Sequence, residues 1–249
     1  MMTGVANKFK GGTASGPEFA FYNAFGFDGV GDSVDIANNS SWYLANGDKT
    51  TSVWFRTSGT SEWIVHSQGS SITTDTMEIY LDGNGHFVAR CLDNSAAQSW
   101  IRRVATNYSD DIWHCAIVYW DSFGTGRIVI DGAAQATVDT TTGTITSITP
   151  TSVLRLGDRI ASDFPFSGSI TALSHFSGAL TVGEEGELHN DGNPLIFGQM
   201  SASLRSKALI YLEMSSNDNT LTDLSSTGND GTAVNGVTSD GELIEWQIA

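Results

Sequence analysis

Apolar and polar residues alternate with a period of two along most of the chain. The alternation is clear in residues 51–56, 77–81 and 86–91, and the last two segments are separated by a four-residue link that contains two glycines. In an extended strand this period places one face on a core and the other towards solvent. Because a short glycine-containing link between two such segments is typical of a hairpin, the pattern predicts paired antiparallel strands.

The strand pattern continues through the middle of the chain. Residues 113–120 are almost continuously apolar, as in a central strand of a sandwich, and shorter strand-like segments follow at 127–130, 136–138, 152–157 and 168–176. Many short strands separated by Gly, Asp and Asn are typical of an all-β sandwich or barrel.

One segment departs from this pattern and predicts a helix near residues 181–190. Thr181 is suited to cap the helix, and Glu184, three residues later, completes a capping box. Acidic residues in a first helical turn also interact favourably with the helix dipole. Gly192 is placed to end the helix.

The two ends of the chain differ from its middle. Residues 1–17 include a run rich in Gly, Ser and Thr with little to pack, and we expect a flexible N-terminal arm there. Residues 18–249 are then expected to form a single domain, since sandwiches and barrels often reach this length as one unit.

The composition excludes several classes of protein. The 249 residues carry 12 Lys and Arg against 28 Asp and Glu, a net charge of −16, which opposes binding to nucleic acid. No apolar run approaches the roughly 18 residues of a membrane helix, and the first residues lack the apolar core of a signal peptide. Only 16% of the residues are charged, and 29 Ser and 26 Thr replace the missing charges.

The two cysteines, Cys91 and Cys115, lie in apolar, strand-like segments. Two cysteines alone make no zinc framework. Buried free thiols and a disulfide are both compatible with the sequence, because a disulfide depends on a geometry that spacing does not give.

Five segments, in order, resemble the laminin-G-like, concanavalin A-like jelly rolls. They are Phe-Asp-Gly with the following strand at 27–36, Ser-Val-Trp-Phe-Arg at 52–56, Trp-His and its hairpin at 113–132, Leu-Arg-Leu-Gly with Phe-Ser-Gly-Ser-Ile at 154–170, and the helix at 181–190. The resemblance implies an antiparallel two-sheet jelly-roll sandwich with one short helix.

The chain departs from that family in two places. The family's Ile-Asp-Glu-Val is Ile-Thr-Ala-Leu at 170–173, so both carboxylates are missing. Residues 209–232 resemble a family segment that usually precedes the first motif, which implies a permuted strand order. We expect residues 207–248 to close the same sandwich, because the ends of such domains often lie close together. The alternative is an extension that packs on a neighbouring subunit.

The resemblance also implies a structural Ca²⁺ between two loops. One loop carries Asp28 and Asp32, and the other carries Asp223, Asn229 and Asp230. Oxygen-rich loops of this kind are what Ca²⁺ requires. The alternative is that these side chains only form Asx turns.

Sugar binding on such sandwiches uses exposed aromatic rings with polar neighbours. The candidates are Trp42, Trp63 and Trp100, with Arg102 as a hydrogen-bonding neighbour, although each tryptophan suits a core position equally well. The adjacent basic pair Arg102-Arg103 is otherwise interpreted as an ordinary solvated strand face.

An enzyme is disfavoured because the parts of known sites are missing. The hydrolases of this fold carry a Glu-x-Asp-x-x-Glu strand, and neither this motif nor Gly-x-Ser-x-Gly, a phosphate loop or a dinucleotide fingerprint occurs. We therefore expect a protein without catalytic activity.

The sequence favours a virion surface protein of a tailed bacteriophage, either a capsid decoration or a tail or fibre accessory. The polar, weakly charged composition, the loose arm and the permuted order resemble such proteins, whose partners would be other virion proteins and, weakly, host surface glycans. Assembly would occur in the host cytoplasm, and the sequence allows a homo-oligomer. The alternative is a carbohydrate-binding module of a bacterial cell-surface or secreted protein, and the third hypothesis is a glycoside hydrolase of the same fold.

Overall fold

The structure is a computed structural model. It describes residues 24–71, 73–93, 99–121, 126–143, 145, 148–161, 163–212 and 220–240. The predicted arm at residues 1–17 lies outside the described residues, as do residues 241–249.

Antiparallel strands dominate the described chain, with two short α-helices. The strands are β1 (Ala24–Asp28), β2 (Ser33–Ile36), β3 (Lys49–Thr57), β4 (Glu62–Ser67), β5 (Thr76–Leu81), β6 (His86–Leu92), β7 (Ser99–Asn107), β8 (His114–Trp120), β9 (Ile128–Ile130), β10 (Ala133–Ala134), β11 (Thr137–Thr142), β12 (Leu154–Leu156), β13 (Ser167–Ser177), β14 (Ala208–Leu212), β15 (Thr220–Leu221), β16 (Gly231–Val234) and β17 (Thr238–Asp240). The helices are α1 (Val182–His189) and α2 (Ala202–Lys207).

The strands form two sheets, which confirms the predicted sandwich. The eight-stranded sheet has the order β10-β9-β8-β3-β13-β1-β17, and β14 pairs with the far half of β13. The nine-stranded sheet has the order β11-β7-β6-β5-β4-β12-β2-β16-β15. Strands from residues 208–240 therefore pair with β13, β2 and β1, in both sheets.

The core lies between the two sheets and follows the period-two pattern. Phe25, Val53 and Phe55 of one sheet and Ile79 and Phe87 of the other are fully buried in it. Burial of apolar surface of this kind stabilises the fold by roughly 25 cal/mol per Å². The same pattern sends the intervening residues of each strand to the outer faces.

A helical segment covers much of the outer face of the eight-stranded sheet. Leu188 of α1, Leu204 of α2 and Tyr211 of β14 form a second apolar cluster with Trp54 and Ile117, which point outward from β3 and β8. The outer face of the nine-stranded sheet has no such helical cover among the described residues.

Helix α1 begins where the sequence predicts. The side-chain oxygen of Thr181 accepts a hydrogen bond from the backbone N–H of Glu184, and the carboxylate of Glu184 accepts one from the backbone N–H of Thr181. Burial favours the neutral acid, but hydrogen bonds from Lys207, Thr181 and Ser203 outweigh it and lower the pKa of Glu184 to about 2. The contact with Lys207 ties α1 to the end of α2, a helix that the sequence pattern did not predict.

Cys91 and Cys115 are both buried free thiols. Cys91 belongs to the core between the sheets, and Cys115 belongs to the cluster beneath the helical cover. Within the described residues, no helix is both long and apolar enough to cross a membrane.

Candidate functional site

The three tryptophans proposed for sugar stacking are buried. Trp42 and Trp100 are each 1% exposed and Trp63 is 7% exposed. A ring must present a free face to stack on a sugar. Of the surface and core positions that the sequence left open for each ring, the structure shows the buried one. Trp42 and Trp100 pack into the core between the sheets, where an indole buries a large area, whereas Trp63 lies outside that core and is covered by other side chains.

Trp63 lies on the outer face of the nine-stranded sheet but is covered there. Its ring is stacked on Tyr80, with centroids 4.5 Å apart and planes 9° apart. The ring of Phe164 lies 4.6 Å away, and the guanidinium of Arg159 lies 5.3 Å from the indole centroid. Trp63 therefore packs against one face of the Tyr80 ring and holds it in place.

The adjacent arginines of β7 are separated by the pleat of the strand. Arg102 forms an ion pair with Asp139 of β11, and its guanidinium lies 5.5 Å from the centroid of the Trp100 ring. Arg103 points to the outer face, where it is close to half exposed. Of the two residues, Arg103 is the one that an external ligand would meet.

The two loops proposed for Ca²⁺ lie at opposite ends of a strand pair. Ser33 of β2 is opposite Val234 and Ile36 is opposite Gly231, so Asp32 and Asp230 are separated by at least the length of the pair, about 10 Å. Among the described residues, no group of three or more His, Cys, Asp or Glu side chains is arranged to hold a metal ion. The five predicted ligands therefore do not form one donor set.

Asp223 instead organises its own loop. Its carboxylate accepts hydrogen bonds from the backbone of Tyr211, Ser225 and Asn229 and from the hydroxyls of Ser225 and Thr227. Asp230 accepts one from the backbone of Asp223, and Asp32 accepts one from the backbone of Asp28. These are the turn-forming contacts of the alternative interpretation.

A groove of about 370 Å³ crosses the outer face of the nine-stranded sheet over β5, β6, β7 and β11. Tyr80, Val88, Arg103 and Val138 follow one another in register across these four strands. The described lining comprises Tyr80, Asp82, Val88, Ile101, Arg103, Val138 and Thr140. The groove thus combines an aromatic ring, an apolar floor and polar groups at its sides.

The charges in the groove balance each other. A terminal nitrogen of the Arg103 guanidinium lies 3.6 Å from Oδ2 of Asp82. Burial alone would raise the pKa of Asp82, but hydrogen bonds from the backbone of Asn84 and His86, together with the His86 ring, lower it below its usual value. Burial raises the pKa of the Tyr80 hydroxyl, which therefore stays a neutral donor. The groove offers one anion, one cation and a neutral hydroxyl.

A row of three polar side chains across β4, β5 and β6 lies beside Tyr80, on the same face of the sheet. Oε1 of Glu78 lies 3.4 Å from Nε2 of His66, and its Oε2 accepts a 2.6 Å hydrogen bond from Nε of Arg90. The Arg90 guanidinium also lies 5.7 Å from the centroid of the Tyr80 ring. Because charge-assisted hydrogen bonds are strong and directional, this row fixes Tyr80 between Trp63 and Arg90.

Comparison with known families decides the relationship. The family model described as the concanavalin A-like lectin/glucanases superfamily matches residues 28–184, more than half of the chain. The chain belongs to the concanavalin A-like lectin/glucanases superfamily. A search of curated proteins gives no significant match.

Solved structures of the same fold agree with this assignment. A candidate carbohydrate-binding protein of Bacteroides ovatus matches with a TM-score of 0.58 and 16% identity, over 88% of this chain and 60% of that one. A heptameric SAP-like pentraxin of Limulus polyphemus matches with a TM-score of 0.51 and 14% identity, over 67% of this chain and 81% of that one. The LG1-3 region of the laminin α2 chain matches with a TM-score of 0.50 and 16% identity, over 64% of this chain and 32% of that one. The chain thus spans less than two thirds of the length of two of these proteins.

Within this member of the concanavalin A-like superfamily, the groove residues were missed by sequence reasoning. The period of residues 77–81 and 86–91 already placed Tyr80 and Val88 on the face opposite the core. The sequence did not show that β6 pairs with β7 and that β7 pairs with β11. These pairings bring Arg103 and Val138 beside Tyr80 and Val88.

Proposed function

We propose that this chain is a non-catalytic glycan-binding module that holds a neutral sugar in the groove on the nine-stranded sheet. The observation that carries the proposal is the position of Tyr80, Asp82 and Arg103 around one groove of small-ligand size. The candidate carbohydrate-binding protein of the same fold supports the class of ligand.

The groove chemistry suits a sugar with many hydroxyl groups. The apolar side chains of Val88, Ile101 and Val138 offer a surface for the C–H face of a pyranose. Because Trp63 and Arg90 lie against its ring, Tyr80 contributes its hydroxyl as a hydrogen-bond donor. The carboxylate of Asp82 accepts hydrogen bonds and the guanidinium of Arg103 donates them, so neighbouring hydroxyls on one ring are satisfied in pairs. Because these two charges compensate each other, the groove favours a neutral ligand over an ionic one.

The absence of catalysis is part of the proposal. Hydrolysis of a glycosidic bond ordinarily requires two carboxyl groups on opposite sides of the bond. The described lining of the groove contains one carboxylate, Asp82. The sequence also lacks the Glu-x-Asp-x-x-Glu strand of the hydrolases of this fold.

Glycan-array screening followed by titration calorimetry tests this function. We expect Arg103→Ala and Tyr80→Ala each to weaken binding of the best array ligand about tenfold or more, which corresponds to at least about 1.4 kcal/mol. Tyr80→Phe keeps the packing of the ring against Trp63 and Arg90 but removes the hydroxyl, and is expected to weaken binding less than Tyr80→Ala does. No product should accumulate from the bound glycan.

The matched control is Thr232→Ala, an exposed residue on the outer face of the same sheet but far from the groove. Melting temperatures of all variants separate a lost contact from a lost fold. A protein that binds no glycan, or one whose affinity is the same in Tyr80→Ala and Arg103→Ala as in the original chain, would contradict the proposal.

We also propose that the module is carried on the surface of a tailed bacteriophage particle, attached to other virion proteins. The support is the resemblance of the permuted segment at 209–232, whose strands β14 and β16 lie beside β13 and β2. Mass spectrometry of purified particles is expected to detect the chain at a fixed ratio to the major capsid or tail protein. Its absence from the particles would favour a bacterial cell-surface or secreted module instead.

A further inference from the structure

Strand β11 is an open end of the nine-stranded sheet. It pairs with β7 along all six of its residues without a shift of register, and no described strand pairs with its other edge. Five of the six residues are exposed. On every second residue such a strand carries backbone N–H and C=O groups that point away from the sheet. An added strand of extended chain would satisfy these groups.

The other ends of the two sheets differ from β11 in length. Strands β10 and β15 have two residues each, and β17 has three. Short terminal strands are one device by which proteins prevent contact between sheet edges, and Lys, Pro and β-bulges on the edge are others. The sequence of β11, Thr-Val-Asp-Thr-Thr-Thr, contains none of these devices. Its Thr and Val residues instead favour an extended strand.

The single charge on β11 is compensated within the chain. Asp139 forms an ion pair with Arg102 on the neighbouring strand β7. The other five side chains are small and uncharged. The net charge of −16 repels two copies of the chain at long range, but this repulsion is screened beyond about 8 Å at physiological salt. Two β11 edges can therefore approach without opposing uncompensated charges.

We propose that a second copy of this chain pairs with β11 through its own β11, antiparallel and about a two-fold axis. Each edge then presents the same alternating donors and acceptors to the other, so the strand is complementary to itself. The register that opposes Thr140 to the partner subunit's Thr140 pairs all six residues of β11. It also places Asp139 opposite the partner subunit's Thr141, whereas a shift by one residue at the axis would oppose the two Asp139 carboxylates, which is unfavourable.

This pairing joins the two grooves on one surface. Val138 and Thr140 of β11 line the groove at the end of the sheet. Residues directly opposite each other in antiparallel strands point to the same face, so both grooves open on the same side of one continuous sheet. Two sites on one face would raise the avidity for a repeating glycan. The pairing itself does not rest on the proposed function, because backbone groups of β11 make it.

Analytical ultracentrifugation of the full chain at physiological salt, from about 1 to 100 µM, tests the proposal. We expect an equilibrium between monomer and dimer without larger species, since a two-fold contact uses both edges. Dissociation in the micromolar range is expected, because one strand pair buries less than the roughly 800 Å² per partner of a standard interface.

Thr140→Lys places two positive charges opposite each other at the axis and should weaken dimerisation at least about tenfold. The matched control is Thr232→Lys, the same change at an exposed residue of β16 on the same face of the sheet, which should leave the dimer unchanged. Melting temperatures of both variants separate a lost contact from a lost fold.

Cross-linking tests the register. In Thr140→Cys the two new thiols face each other across the axis, and mild oxidation should give a covalent dimer. In Thr142→Cys the two thiols lie about 13 Å apart along the strands, too far for a disulfide. The natural thiols of Cys91 and Cys115 are buried and should not interfere.

A chain that stays monomeric at every concentration would overturn the proposal, as would assembly beyond a dimer or an unweakened dimer in Thr140→Lys. A disulfide in Thr142→Cys but not in Thr140→Cys would overturn the proposed arrangement. Tyr80→Ala, three strands from the edge, should dimerise normally. An intact dimer without glycan binding would therefore contradict only the proposed function, and a monomer that binds glycan would contradict only this inference.

Discussion

Replacing Trp100 by alanine is expected to lower the free energy of unfolding by about 3–5 kcal/mol. The ring is 1% exposed, lies 5.5 Å from the ring of Trp120 and is covered by the guanidinium of Arg102. Removing it leaves a cavity that the surrounding strands fill only in part, so both the burial of the indole and its contacts are lost. Urea denaturation followed by fluorescence or circular dichroism measures the change.

Trp100→Phe is the matched variant for this experiment. It preserves an aromatic ring in the same space and should lose clearly less stability than Trp100→Ala. Ile112→Ala, at an exposed position, should change the free energy of unfolding by less than about 0.5 kcal/mol. If Trp100→Ala instead kept its stability and lost glycan binding, the ring would be acting at the surface, which is the alternative that the sequence left open.

Acidification from pH 7 to pH 4 is expected to remove about 3 kcal/mol of stability through His175 alone. The ring is buried, and the loss of water around it, with the nearby charge of Lys49, lowers its pKa to about 3. The hydroxyl of Thr51 lies 2.9 Å from Nδ1 and pairs with the neutral ring. In the unfolded chain the pKa of a histidine is near 6.5. Below that pH His175 is therefore protonated in the unfolded chain but stays neutral in the folded one.

The sign of this effect is therefore fixed. Above pH 6.5 His175 is neutral in both states and takes nothing from the free energy of unfolding. Below pH 6.5 its effect lowers that free energy by about 1.4 kcal/mol per pH unit, until about pH 3. Urea denaturation of the original chain and of His175→Gln at both pH values isolates it, because carboxylates act equally in both proteins. A pH dependence that is the same in His175→Gln as in the original chain would refute the assignment.

The strands and the first helix could be predicted because they depend on local signals. Alternation in residues 77–81 and 86–91 gives β5, β6 and the hairpin between them, since the period of a strand is two. The pairing of Thr181 with Glu184 gives the start of α1, because both capping contacts are made within four residues. The resemblance in five ordered segments then gave the arrangement of two sheets.

The functional surfaces depend on pairings between distant residues. The strand-like segments at 127–130 and 136–138 are close in the chain, but β11 crosses to the other sheet and pairs with β7. That crossing creates one side of the groove. Likewise the indole of Trp63 could be placed on either face, and the groups that cover it include Phe164, a hundred residues away. Spacing along the chain carries no information about such contacts.

The helical cover gives the sandwich a front and a back. Val182, on α1, is 77% exposed on the back, and the groove with Tyr80 and Arg103 opens on the front. A single cysteine introduced at Val182 would thus let the molecule be tethered to a bead or a sensor chip with its groove towards the solution. Attachment through the nine-stranded sheet would instead place the groove against the support. The orientation of the molecule on a support therefore decides whether a ligand in solution has access to the groove.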